Sequence, residues 1–166
     1  MLDKLAVLRR VIEEHRTIMG NVKLVGDSMN DVEALFRLQR VQSEWFQSSI
    51  AAVTARQEEL AKSLLTLHDG LTNHFAFEMN NLPQLFGVIL MKSLEIEHRR
   101  IMRMLNDGQT TLAGAKPEGL TQAETVARKS HLQKIVNDIM EAVQQHHATE
   151  EVILKLAEKA LVPEET

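Results

Sequence analysis

Leu71-Thr72-Asn73-His74-Phe75-Ala76-Phe77-Glu78 and its echo, Val143-Gln144-Gln145-His146-His147-Ala148-Thr149-Glu150, each place a histidine four residues ahead of a glutamate. On a helix that spacing stacks the two side chains on one face. An imidazole nitrogen and a carboxylate oxygen can then reach one small volume, which is the arrangement needed to hold an iron- or manganese-like ion. A single such pair also occurs on solvated surfaces. The company these two pairs keep is what gives them weight.

Apolar and site residues recur at alternating three- and four-residue steps in four runs. The first run, Leu5, Leu8, Ile12, His15, Met19 and Val22, has Asp3 as its N-cap. It can continue through Val25, Met29, Val32 and Phe36, with Gly20 and Gly26 carried at some cost. The second runs Phe46, Ile50, Val53, Leu60, Leu64, Leu67, Leu71, His74, Glu78 until Asn80-Asn81-Leu82-Pro83 stops it. The third is Met91, Leu94, His98, Ile101, Leu105, ended by Asn106-Asp107-Gly108. The fourth opens on a capping box, Thr121 with Glu124, and follows Leu132, Val136, Ile139, Val143, His146, Glu150, Ile153, Ala157.

Four amphipathic helices with short connections predict an all-α, antiparallel up-down-up-down four-helix bundle, a single domain over residues 1–166. If His15 faces His74, the turn between them falls near Glu44 and Trp45. If His74 faces His98, it falls near Phe86, just after Pro83. The segment from Gly108 to Gly119 is the one long loop expected. An internal repeat supports a two-hairpin design, because Glu14-His15-Arg16-Thr17-Ile18-Met19 matches Glu97-His98-Arg99-Arg100-Ile101-Met102.

Composition narrows the chemistry. With no cysteine among 166 residues, disulfides, thiolate catalysis, zinc fingers and iron–sulfur ligation by this chain are excluded. A net charge of −4 with interleaved acids and bases carries no basic footprint for nucleic acid. No apolar run is long enough to span a bilayer and no signal peptide is evident, so a cytoplasmic protein without membrane contact is expected. Tyrosine is absent, which removes phenol ligands and tyrosyl radicals.

Six residues stand at seam positions where a core would otherwise want leucine: His15, His74, Glu78, His98, His146 and Glu150. Burying them without partners would cost several kcal/mol each, roughly, and a cation removes that penalty. His68 and His131 fall one step off their seams and are expected to face solvent. His147 with Glu151 competes with His146 and Glu150, and the seam together with the match to the second run favours the latter pair. Two octahedral ions need about twelve ligand positions. Four imidazoles, two bridging carboxylates and an oxo or hydroxo bridge leave about one open position on each. Such an opening suits O2, NO or a peroxide. Glu14 and Glu97, each one residue ahead of a ligand histidine, are secondary candidates for orienting ligands.

The ordered set His15, His74-x-x-x-Glu78, Glu97-His98, His146-x-x-x-Glu150 resembles the hemerythrin-like, or HHE cation-binding, domain over about residues 3–160. The resemblance implies a bundle holding two iron ions, with the four histidines as terminal ligands and Glu78 and Glu150 as bridges. Manganese and zinc are the alternative metals. Oxygen-carrying hemerythrins have a His-x-x-x-His pair on the third helix, and Leu94 stands at the earlier of those positions here. The set is closer to repair-of-iron-centres proteins and to iron- or oxygen-sensing members. The function implied is binding of O2, NO or iron in sensing, iron handling or stress defence, with a homo-oligomer compatible. Enzymatic repair of iron centres, or peroxide or NO turnover, is the first alternative, and a metal-free helical interaction module the second. A ferritin-like site would need two Glu-x-x-His motifs, and only Glu95-Ile96-Glu97-His98 supplies one.

Overall fold

The four-residue rhythm of Leu60, Leu64, Leu67 and Leu71 belongs to one long helix, and each of these side chains is fully buried. The computed structural model describes residues 6, 8–10, 12, 31–47, 52–114 and 119–161. Among them the chain is helical throughout, with no strand: α1 (Asp31–Gln47), α2 (Val53–Asn81), a 3-10 turn (Leu82–Gln84), α3 (Val88–Gly114) and α4 (Gln122–Leu161). Residues 6, 8–10 and 12 are helical as well. Helix α1 packs on α2, α2 on α3, α3 on α4, and α4 returns to α1.

Local chemistry explains most of the boundaries. Pro83 cannot donate a backbone N–H and sits in the tight turn that ends α2. The capping box at the start of α4 forms in both directions. The Thr121 backbone N–H donates to Glu124 Oε2 at 2.8 Å, and the Glu124 N–H donates to Thr121 Oγ1 at 3.3 Å. Near the end of α3, Leu112 presents a carbonyl that the helix itself leaves open. Gln57, from the start of α2, donates its Nε2 to that oxygen at 3.0 Å.

Three expectations need correction. The turn placed at Glu44 and Trp45 is helical, because α1 runs through Gln47. Its buried stripe is Ala34, Leu38, Val41 and Trp45, and Trp45 is fully buried as the largest side chain of the core. Phe36 and Phe46, read as seam residues, are 61% and 49% exposed because they lie off that stripe. Asn106-Asp107-Gly108 does not end α3, which continues to Gly114. Gly108 serves close approach instead. A Cβ added there would meet Ile139 Cδ1 at 3.0 Å and Ile135 Cγ2 at 3.3 Å, so the missing side chain lets α3 and α4 draw together. In α4 the buried position after Glu150 is Leu154, while Ile153 and Ala157 are only partly covered.

Two apolar clusters fill the interior. The larger holds Trp45, Leu60, Leu71, Phe75, Ile101, Leu105, Leu132 and Val143 among others. The smaller joins Leu8 and Ile12 to Leu82, Met91, Leu94 and Leu154. Among the described residues no helix is long and apolar enough to cross a membrane.

Candidate metal centre

The polar side chains fill the gap between these two clusters. Along α2 and the turn after it, Leu71 and Phe75 belong to the larger cluster and Leu82 to the smaller, with Glu78 between them and His74 beside Phe75. On α3 the order is Ile101, His98, Leu94, and on α4 it is Val143, His146, Glu150, Leu154. Each helix therefore passes from one hydrocarbon layer to the other through a single polar turn. Water is shut out from above and below.

Glu78, His98, His146 and Glu150 are all buried, and one donor atom from each lies within 4.8 Å of all the others. His74 joins them, with Nε2 at 2.9 Å from Glu78 Oε1 and 3.9 Å from Glu150 Oε2. His98 Nε2 lies 3.3 Å from Glu78 Oε2 and 3.9 Å from Glu150 Oε1. His146 Nε2 lies 3.2 Å from Glu150 Oε1. Both Glu78 and Glu150 thus face histidines from more than one helix, as bridging carboxylates must.

The donor set passes a direct test of fit to a cation. The Nε2 atoms of His98 and His146 are buried and make no aligned hydrogen bond among the described residues, although carboxylate oxygens sit close by. Buried nitrogen and carboxylate donors gathered this closely could hold a metal ion.

Electrostatics without metal point the same way. Burial opposes charge on His98, but the Glu150 and Glu78 carboxylates outweigh it and hold the imidazole above its usual 6.5. Burial opposes charge on His146 too, and Glu150 again outweighs it, aided by Glu97. Burial would raise the Glu150 carboxyl, yet His146, His74 and His98 push it well below the ordinary 4.5. The signs give a window. A raised histidine stabilises the fold fully below its unfolded value and loses that contribution as pH climbs through the folded one. A depressed carboxylate contributes above its unfolded value and loses it as pH falls. The metal-free cluster is therefore most stabilising between the unfolded values of 4.5 and 6.5. In chelator, the melting temperature is expected to fall as pH is raised from 6 toward 9. A flat profile across that range would contradict the proton sharing.

Of the sequence candidates, His74, Glu78, His98, His146 and Glu150 come together, and His15 lies outside the described residues, as do Glu14 and Arg16. The competing pair, His147 and Glu151, lies beside them, with the His147 ring 6.0 Å from that of His146. Glu151 is 42% exposed and pairs with Lys155 at 2.5 Å, while the His147 ring stands edge-on to His74 at 5.7 Å. His131 faces solvent as expected, whereas His68 is partly buried beside Asp69. Arg99 is exposed and pairs with Glu95.

Two contributors escaped the sequence reading or ranked low in it. Phe75 lies flat on the His98 ring at 3.9 Å with planes 6° apart, and meets His146 edge-on at 5.3 Å. Its signal was the four-residue step from Leu71, overshadowed by the adjacent His74. Glu97 reaches across from α3 to His146 Nδ1 at 3.0 Å.

No protein-family model, curated protein or solved structure matches this chain. Function is therefore to be read from the chemistry of the buried His/Glu cluster, which could hold a metal ion.

Proposed function

We propose that residues 1–166 form one hemerythrin-like domain, an antiparallel up-down-up-down bundle in which His15, His74, Glu78, His98, His146 and Glu150 hold two iron ions. The observation that carries this reading is the convergence of four buried donors from three helices within 4.8 Å. Contacts between helices favour the antiparallel arrangement. Gln57 near the start of α2 meets Leu112 near the end of α3, and Phe75 then meets His98. His15 belongs to the set by its sequence spacing alone, one step beyond Ile12 on the first seam.

Iron held there would supply an open coordination position and exchangeable electrons for a small ligand such as O2 or NO. The chain's own residues set the conditions. Glu78 and Glu150, each shared between helices, provide the negative charge that a pair of cations requires. Phe75, Leu71 and Val143 on one side, and Leu82, Leu94 and Leu154 on the other, surround the cluster with hydrocarbon. Sensing, iron handling or stress defence follows from a site that binds a diatomic and admits little else.

Metal analysis of the purified protein, with an absorption spectrum recorded in air, tests the proposal. Two irons per chain and near-ultraviolet bands of a bridged ferric pair are expected. One zinc per chain, or no metal with unchanged thermal stability after exhaustive chelation, would overturn it. Loading should also release more protons as the pH is lowered, since an imidazolium must give up its proton to bind metal.

A further inference from the structure

The two buried histidines of α3 and α4 are held by different means. His146 Nδ1 is 3.0 Å from Glu97 Oε2, whereas His98 Nδ1 has no hydrogen-bond partner among the described residues and its ring rests on Phe75 instead. A neutral imidazole carries one ring proton, and the nitrogen that bears it cannot also bind metal. A carboxylate beside Nδ1 keeps the proton there and leaves the Nε2 lone pair free. It also feeds negative charge into the ring and strengthens the bare nitrogen as a donor.

We propose that Glu97 is a positioning residue for the metal centre: it fixes the His146 tautomer with Nε2 directed at Glu150 and makes His146 a stronger donor than His98. The inference rests on the metal-binding reading above. Glu97 is well placed for this work because its side chain is 41% exposed while His146 is 1% exposed. Half in water, the side chain avoids the cost of full burial, and it is anchored on α3 next to His98, so both ligands are tied to neighbouring residues of one helix. Among the described residues His98 has no carboxylate at Nδ1, and Phe75 lies against its ring instead. The two sides of the centre are therefore electronically unequal even though each presents an imidazole and a carboxylate.

The test compares wild type with Glu97→Ala and Glu97→Gln. The first readout needs no metal. In nitrogen-15 correlation spectra of chelator-treated protein, recorded at a pH where the rings are neutral, wild-type His146 is expected to carry its proton on Nδ1. Glu97→Ala should move the proton to Nε2, where Glu150 Oε1 lies 3.2 Å away, while the His98 signals stay as they were. The second readout is titration with cobalt(II), a spectroscopically visible substitute for ferrous iron. Glu97→Ala should weaken uptake about 10- to 100-fold, and Glu97→Gln, which can still accept from Nδ1 but lacks the charge, should fall between. Melting temperatures should change little, because a half-exposed side chain contributes little packing.

An unchanged His146 tautomer and unchanged cobalt affinity in Glu97→Ala would overturn the role of Glu97 and leave the metal site standing. A wild-type protein that takes up no cobalt would instead overturn the metal reading. The tautomer comparison would then still decide whether Glu97 orients His146.

Discussion

Glu150→Ala is expected to lose metal uptake by more than about a hundredfold, beyond the range that supporting residues command. Glu150 is 2% exposed and is approached by His146 on its own helix, His74 on α2 and His98 on α3. No other side chain can replace an acceptor reached from three helices. In wild type, metal at a hundred times its dissociation constant should stabilise the fold by ~2.7 kcal/mol, which raises the melting temperature by about 5–10 °C. Glu150→Ala should show no such rise. The variant also pays in the metal-free state. Removing one partner from a buried charged cluster leaves protonated imidazoles short of compensation, at a cost of roughly 3–5 kcal/mol below neutral pH. Glu150→Gln separates these effects, because it keeps the volume and loses the charge. It should fold with a smaller penalty yet fail to bind metal. Stoichiometric loading of Glu150→Gln, measured by cobalt titration, would show that the carboxylate is not a ligand.

Trp45→Ala has the opposite signature: a large loss of stability with the site intact. Trp45 is fully buried on α1, and the Lys129 ammonium of α4 lies 5.6 Å from its ring centre. Emptying such a position typically costs 3–5 kcal/mol, which for a chain of this size lowers the melting temperature by roughly 6–20 °C. Along α4, Lys129 and His146 are separated by about 25 Å of helix. The cobalt affinity of the folded fraction should therefore match wild type. A parallel fall in affinity would mean that α1 and the centre are coupled through the larger cluster.

The contrast between these two variants mirrors what could be read from residues in order. Within one helix, neighbours three and four apart share a face, so the buried lines Leu60–Leu64–Leu67–Leu71 and Met91–Leu94–His98–Ile101 were legible without coordinates. So were the capping box at Thr121 and the stop at Pro83, since both depend on backbone groups a few residues away. The five described metal candidates stood out because charged and imidazole side chains occupied places that hydrocarbon should fill.

Helix α1 was misjudged for a physical reason. The stretch from Gln42 to Trp45 looks tolerant of a turn, but Gln42 donates to Asn137 Oδ1 at 2.7 Å and Trp45 drives into the core, so packing against α4 keeps the segment helical. Gly108 reads as a stop because glycine is a poor helix former, whereas contact with Ile139 rewards the absence of a side chain.

By itself, then, the sequence determined the helical class, the buried faces of α2 and α3 and which polar residues were out of place among leucines, because each of these depends on spacing along a single rod. Only the tertiary structure decided that Glu97 meets His146, 49 residues away, and that Phe75 covers His98. Such pairings depend on how far one helix is slid and turned against the next, and that register is set by the packing of the whole interior.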